Sequence, residues 1–532
     1  MDMIWLKRGI ESVRKRYESR DYFPKINRKL FLGLFAFGYI VHSFRVTQMI
    51  NASDDIFVLL KGYGSGIING RWALEYLGNF VNWKWQVGSF NLSVFDGVLT
   101  LLLLSLSICV ILELFDLQRD RLGILFGAVF MVYPTCSATF LYMFTTPYYS
   151  LGIFLAVLAV YYLKTRNLFY GLCAILCMAV SMGFYQAYFP ITVTLCLLLI
   201  IDYFLEQDAD FKTGLFRAVY FFVMLCLGLG LYFAILNNRL AHFGKELNEY
   251  QGLDSMGKLE FGEVPGLIAR CYSLFFRFAV EIYHSINTLV VTRKSILFLF
   301  VFCLAAAAMA LYRQKKLLNR VMLVMLICMF PVAVNLIEIM CSKGTIYELM
   351  IYSTVFVFFL PVLLLKKICA GGGIRRWIEK LSSLALGAVL VLTIICYSWH
   401  ANWNYVALDY MNRETASSYT TLVTRIKLAE GYRDEYPVLL VGANTLTDKH
   451  FINPYAAYPE FYFECNPQSL VNSYAWKQAL TAYTGFQFTE PSKEEQDTIY
   501  GTEEYRNMSS YPDDGSIRII NEVIVVKIIN EQ

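Results

Sequence analysis

The sequence predicts an α-helical polytopic membrane protein of about eleven spanning helices, followed by a small C-terminal α/β domain. Three observations predict it. Apolar residues make up 57% of the 532 and charged residues only 17%, with a mean hydropathy of +0.48; soluble domains carry closer to about a quarter charged residues. Apolar stretches of roughly 20 residues, enough to cross a hydrocarbon core, recur from Lys29 to His400. Clusters of lysine and arginine separate them in a pattern that sorts to one side.

The elements follow in chain order. Residues 1–28 form a basic segment with Lys7, Arg8, Arg14, Lys15, Arg16, Arg20, Lys25 and Arg28, which the positive-inside bias places in the cytoplasm. Spans are expected at 29–50, 92–115, 121–142, 147–163, 168–187, 189–205, 215–236, 294–312, 320–341, 346–365 and 381–400, so that 29–400 is the membrane domain. With this odd number, Arg119/Arg121, Lys164/Arg166, Lys212/Arg217, Arg313/Lys315/Lys316/Arg320 and Lys366/Lys367/Arg375/Arg376/Lys380 all face the cytoplasm. The loops 51–91 and 237–293 and the tail 401–532 then lie outside. The segment 273–292 is apolar enough for a twelfth span, but counting it would turn the 313–320 cluster outward. It is therefore read as part of an external loop with interfacial helices. The first span is too long for a cleavable signal peptide and has no small-residue cleavage site.

The tail changes composition. An amphipathic stretch at 419–428 leads to Pro437-Val-Leu-Leu-Val-Gly442, which reads as a buried strand ending in a turn. Ser492-Lys-Glu-Glu495 matches a capping box. Asp513-Asp514-Gly515 precedes two β-branched runs, 517–520 and 523–529, which read as a terminal hairpin. An extracytoplasmic α/β domain over 401–532 follows, with a stabilising cap and a part in acceptor recognition as its two readings.

Composition excludes several chemistries. The 13 cysteines fall mostly inside the spans without a CxxC pair, which makes them apolar fillers rather than a disulfide framework. The histidines (His42, His242, His284, His400 and His450) have no metal-ligand spacing, so no zinc or other metal and no cofactor is expected. No GxSxG nucleophile motif occurs, and no basic face suits nucleic acid.

The richest stretch follows the first span: Asn51-Ala-Ser-Asp54-Asp55, then Gly62, Gly64, Gly66 and Gly70-Arg71-Trp72. Two adjacent carboxylates at a membrane exit are either the acidic first turn of a helix capped by Ser53, or working groups. Neighbours on a helix point roughly 100° apart, so one would act as a base while the other orients a hydroxyl or its neighbour. Asp55, farther from the membrane, is the expected base. Arg71 either grips a phosphate through its planar fork or pairs with Glu75 one turn on. The glycines follow no strand and make no Rossmann or P-loop signature. Arg45 and Asp96 are expected to neutralise each other between the first two spans, or to mark a site.

Two further features point to the same mouth. Gly183-Phe-Tyr185-Gln186-Ala-Tyr188-Phe-Pro190 joins two spans by a short turn with an amide among aromatics, suited to sugar stacking or to an interfacial belt. Glu338 and Lys343 flank another short turn, where Lys343 would meet a lipid phosphate or anionic headgroups.

With Asp54-Asp55, Gly70-Arg71-Trp72, Tyr185-Gln186-Ala-Tyr188 and Pro437–Gly442 in that order, the chain resembles the bacterial Gtr-type membrane glucosyltransferases. These are the serotype-converting O-antigen enzymes and their relatives, of the GT-C class. The resemblance covers nearly the whole chain. It implies a GT-C-like membrane domain in the bacterial plasma membrane and a hexose, expected to be glucose, moved from a polyprenyl-phosphate-linked donor. Undecaprenyl phosphate is the expected lipid, and a cell-envelope glycan the acceptor. Asp54 or Asp55 matches the family's acidic position and is expected to be catalytic. Arg71 matches a family motif and Lys343 joins it as a candidate for donor phosphate; Trp72, Tyr185, Gln186, Tyr188 and Glu338 are candidates for substrate binding. A flippase for lipid-linked sugars is the competing class, but no repeat relates the two halves and the acids lie at an edge instead of the midplane. A polysaccharide polymerase is the third reading, and the external segments are acidic and aromatic instead of arginine-rich.

Overall fold

In hydrocarbon every backbone N–H and C=O must be paired within its own segment, so apolar runs of this length fold as helices. A computed structural model describes residues 23–61, 66–84, 92–248, 262–277, 290–344, 346, 348–370, 375–442 and 475–528. The first half holds α1 Arg28–Thr47, α2 Ser53–Lys61, α3 Trp72–Lys84, α4 Ser93–Leu114, α5 Arg121–Val132, α6 Pro134–Leu141, α7 Thr146–Thr165 and α8 Leu168–Phe184. A 3₁₀ turn at Gln186–Tyr188 leads into α9 Phe189–Phe204 and α10 Phe211–Phe243. Then come α11 Val264–Arg277, α12 Val290–Arg313, α13 Leu317–Val334, the short α14 Ile337–Met340, α15 Phe359–Ala370 and α16 Arg376–Lys427. The tail adds β1 Val438–Val441, α17 Trp476–Thr484, α18 Lys493–Tyr500, α19 Glu503–Arg506, β2 Ile517–Ile520 and β3 Val523–Lys527.

Among the described residues ten helices are long and apolar enough to cross a membrane, and α8 is a shorter apolar helix of 17 residues. At 1.5 Å per residue α8 still reaches about 26 Å, close to a hydrocarbon core of about 30 Å. The eleven expected spans are therefore all helical. Several ends move. The third expected span breaks at Tyr133-Pro134, because proline cannot donate and starts α6 afresh. The tenth expected span opens as 3₁₀ turns at Tyr352–Val357 before α15. The last does not stop at 400: α16 runs for 52 residues and absorbs the amphipathic stretch at 419–428. Part of the possible twelfth span, 278–289, lies outside the described residues.

Lipid supplies no hydrophobic drive between helices, so close packing through small residues holds the bundle. A Cβ on Gly97 would strike Val46 at 2.7 Å, which is how closely α4 approaches α1. Gly228 of α10 stands likewise against Met178 of α8. At one end, basic side chains donate to carbonyls left over where α4 stops, Lys164 to Leu114 at 2.7 Å and Lys366 to Asp116 at 2.6 Å, and Lys316 donates to Ala209 at 2.8 Å in the turn between α9 and α10. Cations at helix C-termini complement the macrodipole. These clusters thus meet at one end of the bundle, opposite the end where α1 hands over to α2.

The tail forms a three-stranded sheet in the order β1-β3-β2. β2 and β3 make the expected hairpin, turned by Asn521 and Glu522 at positive φ, and β1 lies parallel to β3 with Val438 opposite Ile524. Ser492 and Glu495 complete the expected capping box at α18.

Candidate active site

The chain leaves α1 through a turn that sets α2. Asp55 sits three residues after Ala52 and accepts the Ala52 N–H at 3.0 Å, the acidic half of a capping box. Its other oxygen accepts the Phe144 N–H at 3.2 Å. The Arg45 guanidinium, in the last turn of α1, stands 3.4 Å from the same carboxylate, and both side chains are fully buried. Arg45 also donates to the carbonyls of Phe140 at 2.9 Å and Leu141 at 3.4 Å, at the C-terminal end of α6. The expected pair of Arg45 with Asp96 is not formed. Asp96 turns back to accept the Leu92 N–H at 3.0 Å, and Arg45 reaches the acid that the chain reversal brings to it.

Asp54 differs from its neighbour. It is half-buried, and among the described residues its carboxylate takes no hydrogen bond and no ion pair within 4 Å. Burial pushes its carboxyl above the ordinary range, while Arg71 nearby pulls the other way. Burial also raises Asp55, to about 6, against the opposing pull of Arg45 and the two N–H donors.

The turn carrying Arg71 is held from three sides. Gly66 accepts the Arg71 N–H at 2.7 Å, and Glu75 accepts the Ile67 N–H at 2.7 Å. Glu75 is therefore not the ion-pair partner of Arg71 that the spacing allows. The buried Gln186 donates to the Asn69 carbonyl at 2.8 Å, and Tyr232 donates to the Gly70 carbonyl at 3.0 Å. Gly70 has φ +71°, and a Cβ there would collide with the Gln186 amide and stand 2.7 Å from the Tyr232 hydroxyl. Trp72 packs on Gly183, where a Cβ would meet its ring at 2.7 Å.

Three tyrosines form the floor. Tyr149 and Tyr185 stack with ring centroids 4.9 Å apart, and Tyr188 meets them edge-on at 6.2 and 5.4 Å. The Arg71 guanidinium lies 4.7 Å from the Tyr185 centroid and donates to the Tyr149 hydroxyl at 2.9 Å. Cation–π contact of this kind keeps the charge intact while fixing its direction. Tyr185 and Tyr188 are buried, the first against the arginine and the second against the other two rings, so they do not form an interfacial belt.

Asp54, Arg71, Trp72, Tyr185, Gln186 and Tyr188 thus come together, and Asp55 turns instead to Arg45. Glu338 and Lys343 belong to another stretch of the chain, α14 and the turn after it. Glu338 is buried and pairs with Arg270 of α11 at 2.7 Å, and Lys343 is exposed on the turn after α14. Sequence reasoning missed Tyr149, Tyr232 and the Arg45–Asp55 pair. One signal was present for Arg45: an arginine in the last turn of a span, ten residues ahead of an acid, needs a buried partner.

Gly70→Ala should cost most of the activity, since it forces an L-residue into the left-handed region and pushes Arg71 off the tyrosines. Gly230→Ala, whose Cβ would meet nothing within 4 Å, serves as control. Turnover per folded protein is the measure, and wild-type turnover by Gly70→Ala would show that the turn does not set the site.

Residues 44–365 match a family model described as Glucosyl transferase GtrII, a segment that runs from the end of α1 into α15. No curated protein matches the chain.

Proposed function

The chain belongs to the GtrII glucosyl transferase family, and we propose that it takes glucose from a polyprenyl-phosphate donor and places it on a hydroxyl of a cell-envelope glycan. The observation that carries this reading is the pairing of a half-buried carboxylate, Asp54, which holds no hydrogen bond among the described residues, with a guanidinium held over two tyrosines. Asp54 takes the proton of the acceptor hydroxyl as its oxygen forms a bond to the anomeric carbon. The bond from that carbon to the phosphate oxygen breaks, and the polyprenyl phosphate leaves with the electron pair and with inversion. Arg71 lies where the leaving phosphate gathers charge, and its fork suits two phosphate oxygens at once. Tyr185, Tyr188 and Trp72 form the packed wall behind Arg71 that shapes the place for the sugar and the lipid head. The raised carboxyl of Asp54 supports its part, since a base works best with a pKa nearer the working pH.

The base moves from the expected Asp55 to Asp54 on geometric grounds. Asp55 is buried and already holds Arg45 and two backbone N–H groups, whereas Asp54 holds no hydrogen bond among the described residues. We place the site on the extracytoplasmic face of a bacterial plasma membrane, because the basic clusters gather at the opposite end of the bundle. On that side the basic segment 1–28 is cytoplasmic and the domain built on 401–532 is extracytoplasmic.

Purified protein should consume a polyprenyl-phosphate glucose with an acceptor glycan and ignore the matching nucleotide sugar. Turnover with the nucleotide sugar alone, without lipid donor, would rule the mechanism out.

A further inference from the structure

The family match ends at residue 365, yet the turn that aims the two acids is held by residues beyond it. α16 carries a buried stripe through Ala401, Tyr405, Leu408, Asn412, Thr415 and Tyr419, spaced three to four residues apart. Asn412 is a buried amide in that stripe. Its Oδ1 accepts the Asn51 N–H at 3.0 Å, and its Nδ2 donates to the Asn51 carbonyl at 3.0 Å and to the Leu408 carbonyl at 2.8 Å. A single side chain therefore grips both backbone groups of one residue, which fixes the peptide planes on either side of it. Asn51 lies two residues before α2, and Asp54 is the second residue of that helix.

The C-terminal domain closes the grip. α17 packs on α2 and on α16, burying Trp476, Ala479 and Leu480. Tyr483 of α17 donates its hydroxyl to Asn412 Oδ1, with the Asn51 side chain beside it. The chain thus leaves α1, is clamped at Asn51, is capped at Ala52 by Asp55, and then presents Asp54.

We propose that Asn412 and Tyr483 are positioning residues of the active site, holding the first turn of α2 so that Asp54 faces Arg71. This rests on the reading of Asp54 as the base. On this view the tail is neither a passive cap nor only an acceptor platform; it is a working part of the catalytic unit, tied to it by one amide and one hydroxyl.

The test compares Asn412→Leu, which keeps the volume but loses the amide, with Tyr483→Phe, which loses one hydroxyl. Misplacing a catalytic group by about 1 Å can cost about 100-fold in rate. Asn412→Leu should lower kcat by about 10- to 100-fold with little change in the KM for polyprenyl-phosphate glucose, and Tyr483→Phe less. The acid limb of the kcat–pH profile should also move in Asn412→Leu, because the burial of Asp54 and its distance from Arg71 change together. A purely structural role would lower the yield of folded protein and leave the limb in place. Wild-type kcat in both variants, or a loss matched by lost folded protein with an unmoved limb, overturns the proposal. Should Asn412→Leu not fold, Tyr483→Phe carries the test alone on the same two readouts. Asp54→Asn assayed by itself reads the base assignment, so its failure is distinguishable from failure of the clamp.

Discussion

Asp54→Asn should remove nearly all glucose transfer, by about 10²–10⁴ in kcat, and still yield folded protein in normal amount. Asparagine keeps the size and a hydrogen-bonding oxygen but cannot take a proton. Among the described residues no hydrogen bond of the fold depends on the Asp54 carboxylate. Asp55→Asn should fail differently. It removes the counter-charge from the fully buried Arg45, and a buried charge left alone costs about 3–5 kcal/mol. Loss there should appear first as reduced abundance and a lower melting temperature. Replacing both members of the pair, with Arg45→Met and Asp55→Leu together, should restore part of the stability, since no charge then remains unpaired. The pH profile adds an independent check. A base must be ionised, so wild-type turnover falls as pH drops through the carboxyl's pKa. Burial raises that pKa, so the fall begins at a higher pH than for an ordinary carboxylate. The limb should vanish with the residual activity of Asp54→Asn. An Asp54→Asn protein that transfers glucose at the wild-type rate would place the base elsewhere.

Much of the fold was legible because period and composition speak directly to it. Apolar runs separated by lysine and arginine clusters marked the ten long apolar helices and the shorter α8, and two β-branched runs marked the hairpin at 517–527. Helix ends were less legible. No glycine or proline interrupts the chain from 388 to 430, so α16 continues past the membrane although its composition changes. A hydropathy reading sees the change of solvent there; the backbone does not. The site was half legible. Motif order brought Asp54, Arg71 and Gln186 together in advance, but pairing is a three-dimensional fact. Arg45 had two acids within reach of its helix, Asp55 and Asp96, and only the reversal of the chain before α2 decides between them. Tyr149 stands among 37 tyrosines with no motif of its own, and Asn412 lies in a stripe whose register appears only once α16 is known to be one helix.

Arg71→Lys should lower turnover by about 10²–10³, the cost of losing one preorganised group that meets developing negative charge. Lysine keeps the charge, so a purely long-range role would spare activity. It loses the planar fork, which is what allows two phosphate oxygens to be held together. It also loses the flat face that lies 4.7 Å from the Tyr185 centroid. Both kcat and the KM for polyprenyl-phosphate glucose should worsen, because in the proposed mechanism the phosphate is present in the ground state and gains charge as it leaves. Tyr149→Phe, which removes the 2.9 Å hydrogen bond but keeps the ring, should cost far less than Arg71→Lys. Glu75→Gln separates this account from a simple helix salt bridge. An exposed pair one turn apart would be worth only about 0.3–0.5 kcal/mol, so its loss would hardly be felt in either partner. Here Glu75 serves the Ile67 N–H, and glutamine keeps an oxygen for that bond, so Glu75→Gln should lose far less than Arg71→Lys. Equal small effects in both variants would assign Arg71 to the helix surface and move the phosphate contact to another cation.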